Sequence, residues 1–176
     1  ISIGSWAYTI GPYASNPVPW DEVITTLQQL GFQGVELGGF PPHPNPDDLP
    51  EPEQRAACKE QLATVGLRFS GLAANLWDEH LIDSENQSDY LTCFRKNLDF
   101  CVDLGIKGIR VDTVQPPTIF SEVDPTVARE RVVRTWKQCA REAADKGIYM
   151  TWEFEPGFAF NKPSDILRIV DEVDDD

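Results

Sequence analysis

Amphipathic stretches alternate with short apolar runs along this chain, the pattern of helices and strands taking turns. Ser2 to Thr9 (SIGSWAYT) predicts a first strand, broken by Gly11-Pro12 and a loop to Pro19. Trp20 to Leu30 predicts a helix with Val23, Ile24, Leu27 and Leu30 on one face. Asp21 and Glu22 suit the positive end of its dipole, and Gly31 ends it. GVELGGF, Gly34 to Phe40, predicts a second strand with Val35 and Leu37 on one face and Glu36 on the other. The PPHPNPDDLPEP that follows cannot hold regular structure, because proline lacks the amide donor. Further helices are expected over about Pro52 to Val65, Ser88 to Leu104, Pro125 to Lys146 with Asp124 as N-cap, and Pro163 to Val173. Strands are expected over Arg68 to Asn75, over Gly108 to Val114 before the breaker Gln115-Pro-Pro117, and from Met150 onward.

Gly31, Gly66, Gly105 and Gly147 each close a helix and launch a strand, at intervals of roughly forty residues. This repeat implies βαβ units and a parallel sheet. Loops after strands are long and rich in Pro, Trp and acids, whereas loops after helices are short. That asymmetry predicts a (β/α)8 TIM barrel, whose chemistry gathers at the C-terminal ends of the strands. A doubly wound sheet is the alternative, but no G-x-G-x-x-G follows the first strand. Only five βα units are visible, so the expectation is a single partial barrel domain, the N-terminal five-eighths of the fold.

The stretch Met150-Thr-Trp-Glu-Phe-Glu-Pro-Gly-Phe-Ala-Phe160 organises the rest. Strand alternation puts Glu153 and Glu155 on one face and Trp152 and Phe154 on the other. An acid on a buried strand is paired, protonated or bound to a metal, because an unpaired buried charge is costly. The competing reading has Glu155 past the strand in solvent and Glu153 paired with an arginine. On a barrel, Glu36, Asn75, Arg110 or Asp112, Glu153 and Glu155 would converge on one mouth, with Trp6, Tyr8 and Trp77 near its rim. Rings that cover C–H faces, with a few polar groups for hydroxyls, suit a sugar-sized pocket. Arg110 and Asp112 share a face and could equally pair with each other.

Charge narrows the partners. A net charge of −14 over 176 residues argues against a nucleic-acid backbone and favours solubility and local cation binding. No apolar run approaches the length of a membrane span, and no secretory signal is visible in a chain that opens at Ile1. Cys58, Cys93, Cys101 and Cys139 form no C-x-x-C pair and fall in predicted helices, so buried free thiols and a cytoplasmic location are expected. His43 and His80 sit in loops after strands and are expected to be solvated rather than ligands.

GVELGGF, GLAANLWDEH, LDFCVDLGIKGIRV and above all MTWEFEPGF resemble the xylose isomerase-like barrels, a family of sugar and sugar-phosphate isomerases, epimerases and inosose dehydratases. The resemblance covers essentially the whole chain. It implies that Glu153, with Pro156-Gly157 following, ligates a divalent metal and serves as an acid/base, and that Glu36 faces the substrate. Trp6, Asn75, Trp77, Glu155 and Arg110 are the other expected substrate-binding residues. The implied metal is Mn²⁺ or Mg²⁺, with Zn²⁺ or Co²⁺ as alternatives. The family's other ligands, an Asp, a His and a second Glu, lie on strands six to eight, which this chain does not carry. The implied reaction is proton transfer next to a carbonyl of a sugar or polyol, in the full-length protein, with homo-oligomerisation left open. An inosose dehydratase-like lyase and a non-catalytic sugar-binding barrel are the alternatives. The apurinic endonucleases of the same superfamily need several histidines and a basic DNA track, which two histidines and a charge of −14 oppose.

Overall fold

A computed structural model describes residues 1–174, so Asp175 and Asp176 of the acidic terminus lie outside the described residues. The elements run β1 (Ser2–Gly4), α1 (Trp20–Gln29), β2 (Gly34–Gly38), α2 (Pro52–Thr64), β3 (Arg68–Ala73), α3 (Ser88–Leu104), β4 (Gly108–Val111), α4 (Pro125–Asp145), β5 (Tyr149–Trp152) and α5 (Pro163–Val173). The strands form one sheet in chain order, the sequential parallel arrangement of successive βα units. The four helix-ending glycines all adopt positive φ, from +68° to +78°, which is why they stop helices cleanly. Asp124 caps α4 by accepting from the amides of Thr126 and Val127.

The strands are shorter than the apolar pattern predicts. β1 stops at Gly4, and Ser5–Tyr8 forms a 3₁₀ turn in which Thr9 Oγ1 donates to the Trp6 carbonyl. The Ser5 hydroxyl takes the amide of Gly38, replacing the carbonyl that a longer strand would offer. Trp6 and Tyr8 therefore belong to this turn and not to a strand. Further 3₁₀ turns cover Gly11–Tyr13 and Pro117–Ser121.

The chain divides into two compact units. The first comprises Ile1–Asn75 and Lys96–Ile109. Its core is built from Val23, Ile24 and Leu27 of α1, Val35 and Leu37 of β2, and Leu98, Phe100 and Cys101 of α3. Trp20 stacks on Phe69 at 6.3 Å, so Phe69 faces the helix layer. Arg55 of α2 lies over the Phe100 ring and pairs with Asp103 at 2.7 Å.

Among the described residues, the second unit comprises Leu76–Arg95 and residues 110–174. Its core centres on Trp136 of α4, whose indole N–H donates to the Tyr90 hydroxyl at 2.9 Å. Trp152 packs edge-on against Trp136 at 5.2 Å, which turns that face of β5 toward α4. All four cysteines are free, and burial pushes the thiols of Cys101 and Cys139 up to about 12. Such thiols stay protonated and make poor nucleophiles.

Candidate functional site

In the first unit, Trp6 and Glu36 come together. The Trp6 indole N–H donates to Glu36 Oε2 at 2.9 Å. The indole reaches it by folding back across β1, where a Cβ on Gly4 would stand 2.1 Å from Trp6 Nε1. Gly4 is thus needed for close approach. A register irregularity between Val35 and Glu36 sets Glu36 opposite Gly71. Asn75 lies just past β3 and is half-buried.

His43 departs from expectation. It is buried rather than solvated, packed against Trp20 at 5.7 Å, with Nε2 hydrogen-bonded to the Val18 carbonyl. Burial holds its pKa below the ordinary 6.5, partly offset by that bond, so the neutral ring is the folded form. Prolines around it exclude regular structure, and the Trp20 ring at the start of α1 packs against the imidazole.

In the second unit, β5 ends at Trp152, and Glu153 follows at once, its amide still donating to the Val111 carbonyl at 3.1 Å. Arg110 Nη1 lies 2.7 Å from Glu153 Oε2, and Arg110 Nε lies 3.9 Å from Asp112 Oδ2. Arg110 thus stands between a half-exposed and a buried carboxylate. Glu155 is exposed in the turn where the Phe158 amide donates to the Glu155 carbonyl across Pro156-Gly157. The pairing of Glu153 with an arginine, weighed above as the alternative, is the arrangement observed. Trp77 is exposed and meets Phe158 edge-on at 5.8 Å.

The residue that sequence reasoning missed is Gln115, read there only as part of a chain breaker. Its main-chain carbonyl accepts from the Ala159 amide in the loop after β5. Its side-chain Oε1 accepts from the Ile82 amide in the loop after β3. Preceding it, Val114 has φ +55°, and the Gln115 amide closes a three-residue turn on the Thr113 carbonyl. A β-branched residue there is strained, by about 1–3 kcal/mol, and such strain gathers at functional sites. The Thr113 hydroxyl adds a bond to the Ala159 carbonyl at 2.8 Å. Three loops that follow strands are therefore tied through one short segment. Only a polar residue after a strand, next to prolines, hinted at it in the sequence.

Among the described residues, no group of three or more His, Cys, Asp and Glu side chains is placed to hold a metal ion. Glu153 is clasped by Arg110, which competes with any cation for the same carboxylate. These residues do not by themselves fit a divalent metal.

Residues 24–176 match the family described as xylose isomerase-like TIM barrel. The chain belongs to that family. A curated relative, the rhizopine catabolism protein MocC of Rhizobium meliloti, is 26% identical over 97% of this chain and 48% of its own length. Among solved structures, the IolI protein with a bound zinc atom aligns at a TM-score of 0.77 and 15% identity, over 98% of this chain and 58% of that one. An AP endonuclease, family 2, from Brucella melitensis aligns at 0.73 and 17%, over 98% and 64%. D-psicose 3-epimerase with D-tagatose from Clostridium cellulolyticum H10 aligns at 0.69 and 18%, covering 59% of that chain. At these identities the structures establish the fold, five strands and their helices in the arrangement of a partial TIM barrel. The chain spans about half the length of the curated relative it matches. No helix among the described residues is long and apolar enough to cross a membrane.

Proposed function

We propose that the whole protein is a sugar or polyol isomerase or epimerase that moves a proton next to a carbonyl, with Glu153 as an acid/base. The observation that carries this reading is a carboxylate placed one residue past the end of β5, held by Arg110 and more than a third open to solvent. The guanidinium fixes the carboxylate's position while leaving it accessible, as a proton acceptor for a bound substrate must be. Trp6, Glu36, Asn75, Trp77 and Glu155 are the proposed substrate contacts, and Arg110 orients Glu153. The epimerase among the structural neighbours and the catabolic MocC protein support a small polyhydroxylated substrate. A net charge of −14 opposes DNA as substrate. Divalent-metal dependence belongs to the same proposal but gains no support from the described side chains. Deuterium wash-in from D₂O into D-fructose, D-psicose and D-tagatose, with Mn²⁺ present, tests the reading. Glu153→Gln should slow exchange by at least about 100-fold. Near-normal exchange in that variant would move the role to Glu155 or elsewhere.

A further inference from the structure

In the first unit, the loops after β1 and β2 meet at one buried histidine. Residues 10–16 of the first loop are all exposed, and residues 10–19 carry no charged side chain. Among the described residues, one hydrogen bond ties this segment to the proline tract, from His43 Nε2 to the Val18 carbonyl at 2.9 Å. The Val18 amide donates to the Tyr8 carbonyl at 3.0 Å, and Tyr8 ends the turn that presents Trp6 to Glu36. Asn45 secures the other side of the histidine. Its Nδ2 donates to the His43 carbonyl and to the Asp48 carboxylate, while its Oδ1 accepts from the amides of Asp47 and Asp48. His43 itself is 1% exposed.

A carbonyl only accepts, so Nε2 carries the hydrogen and the neutral ring presents a bare Nδ1. That nitrogen is buried without a hydrogen-bond partner. A proton arriving there makes a second buried donor with nothing to take it. The neighbouring charges are engaged elsewhere: Asp48 with Asn45, Asp47 with Lys96 of α3, Asp21 of α1 with Gln61, and Arg55 of α2 with Asp103. Glu22, also on α1, is exposed. Burial lowers the proton affinity of the ring, and only the Val18 bond opposes it. Trp20 cannot yield to a swelling site, because Phe69 stacks on it and Gln61 holds its indole N–H. The imidazole is therefore the part that moves. We propose that His43 is an acid-released latch: a proton on Nδ1 drives the ring from its site, breaks the Val18 bond and frees residues 10–19. The release loosens the Tyr8–Val18 bond and with it the turn bearing Trp6, beside Glu36. The latch stands apart from the reaction proposed for Glu153.

Amide hydrogen exchange followed by NMR on the intact chain, corrected for the pH dependence of the intrinsic rate, tests this. The closed latch is favoured in full above the open-state pKa near 6.5 and is lost as pH falls toward the lower folded value. Opening takes up one proton across that window, so opening read at the Val18 amide should rise about tenfold per pH unit. The Ile106 amide, bound to the Cys101 carbonyl in the same unit, should show no such rise. His43→Gln keeps a donor for Val18 but no titrating group, so Val18 should stay protected and lose its pH dependence. The His43 ring, assigned through its contact with Trp20, should titrate below 6.5. A Val18 rate without pH dependence, a slope that His43→Gln retains, or a ring titrating at or above 6.5 overturns the latch. A rise shared equally by Ile106 overturns it too, because the whole unit is then unfolding. Should His43→Gln fail to fold, the ring titration and the comparison of Val18 with Ile106 in the parent still decide.

Discussion

Arg110 separates folding from chemistry at the strand ends, and two substitutions measure how. Arg110→Met keeps the aliphatic stem but removes the guanidinium from between Glu153 and Asp112. Asp112 is only 5% exposed, and at 3.9 Å a unit pair in a partly buried setting attracts by about 4 kcal/mol. Part of that is offset by the desolvation that Arg110 no longer bears, so we expect a net loss of about 3 kcal/mol, near the low end for breaking a buried pair. Glu153→Gln differs, because Arg110 stays beside Asp112. The Glu153 side chain is 37% exposed, so its 2.7 Å pair is worth about 1 kcal/mol or less after solvent screening. Equilibrium urea unfolding of both single variants and the double variant yields these values and their coupling. The reasoning is refuted if Glu153→Gln costs as much as Arg110→Met, or if Arg110→Met costs under about 1 kcal/mol. A stable Glu153→Gln protein is also what allows its loss of exchange to be read as lost chemistry.

Other outcomes follow from single contacts. Gly4→Ala should displace the Trp6 indole from Glu36, since the added Cβ would sit 2.1 Å from Nε1; a changed Trp6 fluorescence, isolated by replacing the other tryptophans with Phe, checks it. Tyr90→Phe should destabilise by about 1–3 kcal/mol in urea unfolding, because the buried Trp136 N–H loses its acceptor. Acid should lower the melting temperature in two windows. The buried neutral His43 contributes stability that is full above its unfolded pKa near 6.5 and is lost as pH falls through its lower folded value. The Arg95 hydrogen bond holds the Glu142 carboxyl down to about 2, so its contribution is present above about 4.5 and lost as pH falls toward 2. His43→Gln should flatten the first window alone and Glu142→Gln the second alone.

Helices were legible in the sequence because their signals are local. Asp124-Pro125 starts α4, and a glycine at positive φ ends each of the first four helices, so the predicted bounds fall within a residue of those observed. Strand ends were not legible, because β-like alternation continues past the point where partners stop. Ser5 and Val114 both look like strand residues, yet a side-chain hydroxyl replaces the ladder at Ser5 and a tight turn replaces it at Val114. The acids and rings of the site could be named from their positions after strands. Their partners could not, because the Arg110–Glu153 pair and the bonds of Gln115 join residues more than thirty positions apart. His43 misled for the same reason: its burial is set by Trp20, on a different element.

The ties made by Thr113 and Gln115 bear on how this scaffold can diversify. Barrels of this kind vary their chemistry through the loops that follow their strands. Here the loops beyond β3, β4 and β5 share hydrogen bonds to the Ile82 amide and to both main-chain polar groups of Ala159. An insertion in one of them would break bonds that hold its neighbours. Variation should therefore concentrate in the loops beyond β1 and β2, where Gly11–Pro19 and the proline tract bear no such ties to Gln115. Libraries aimed at new substrates would do better to vary those two segments and leave residues 113–115 unchanged.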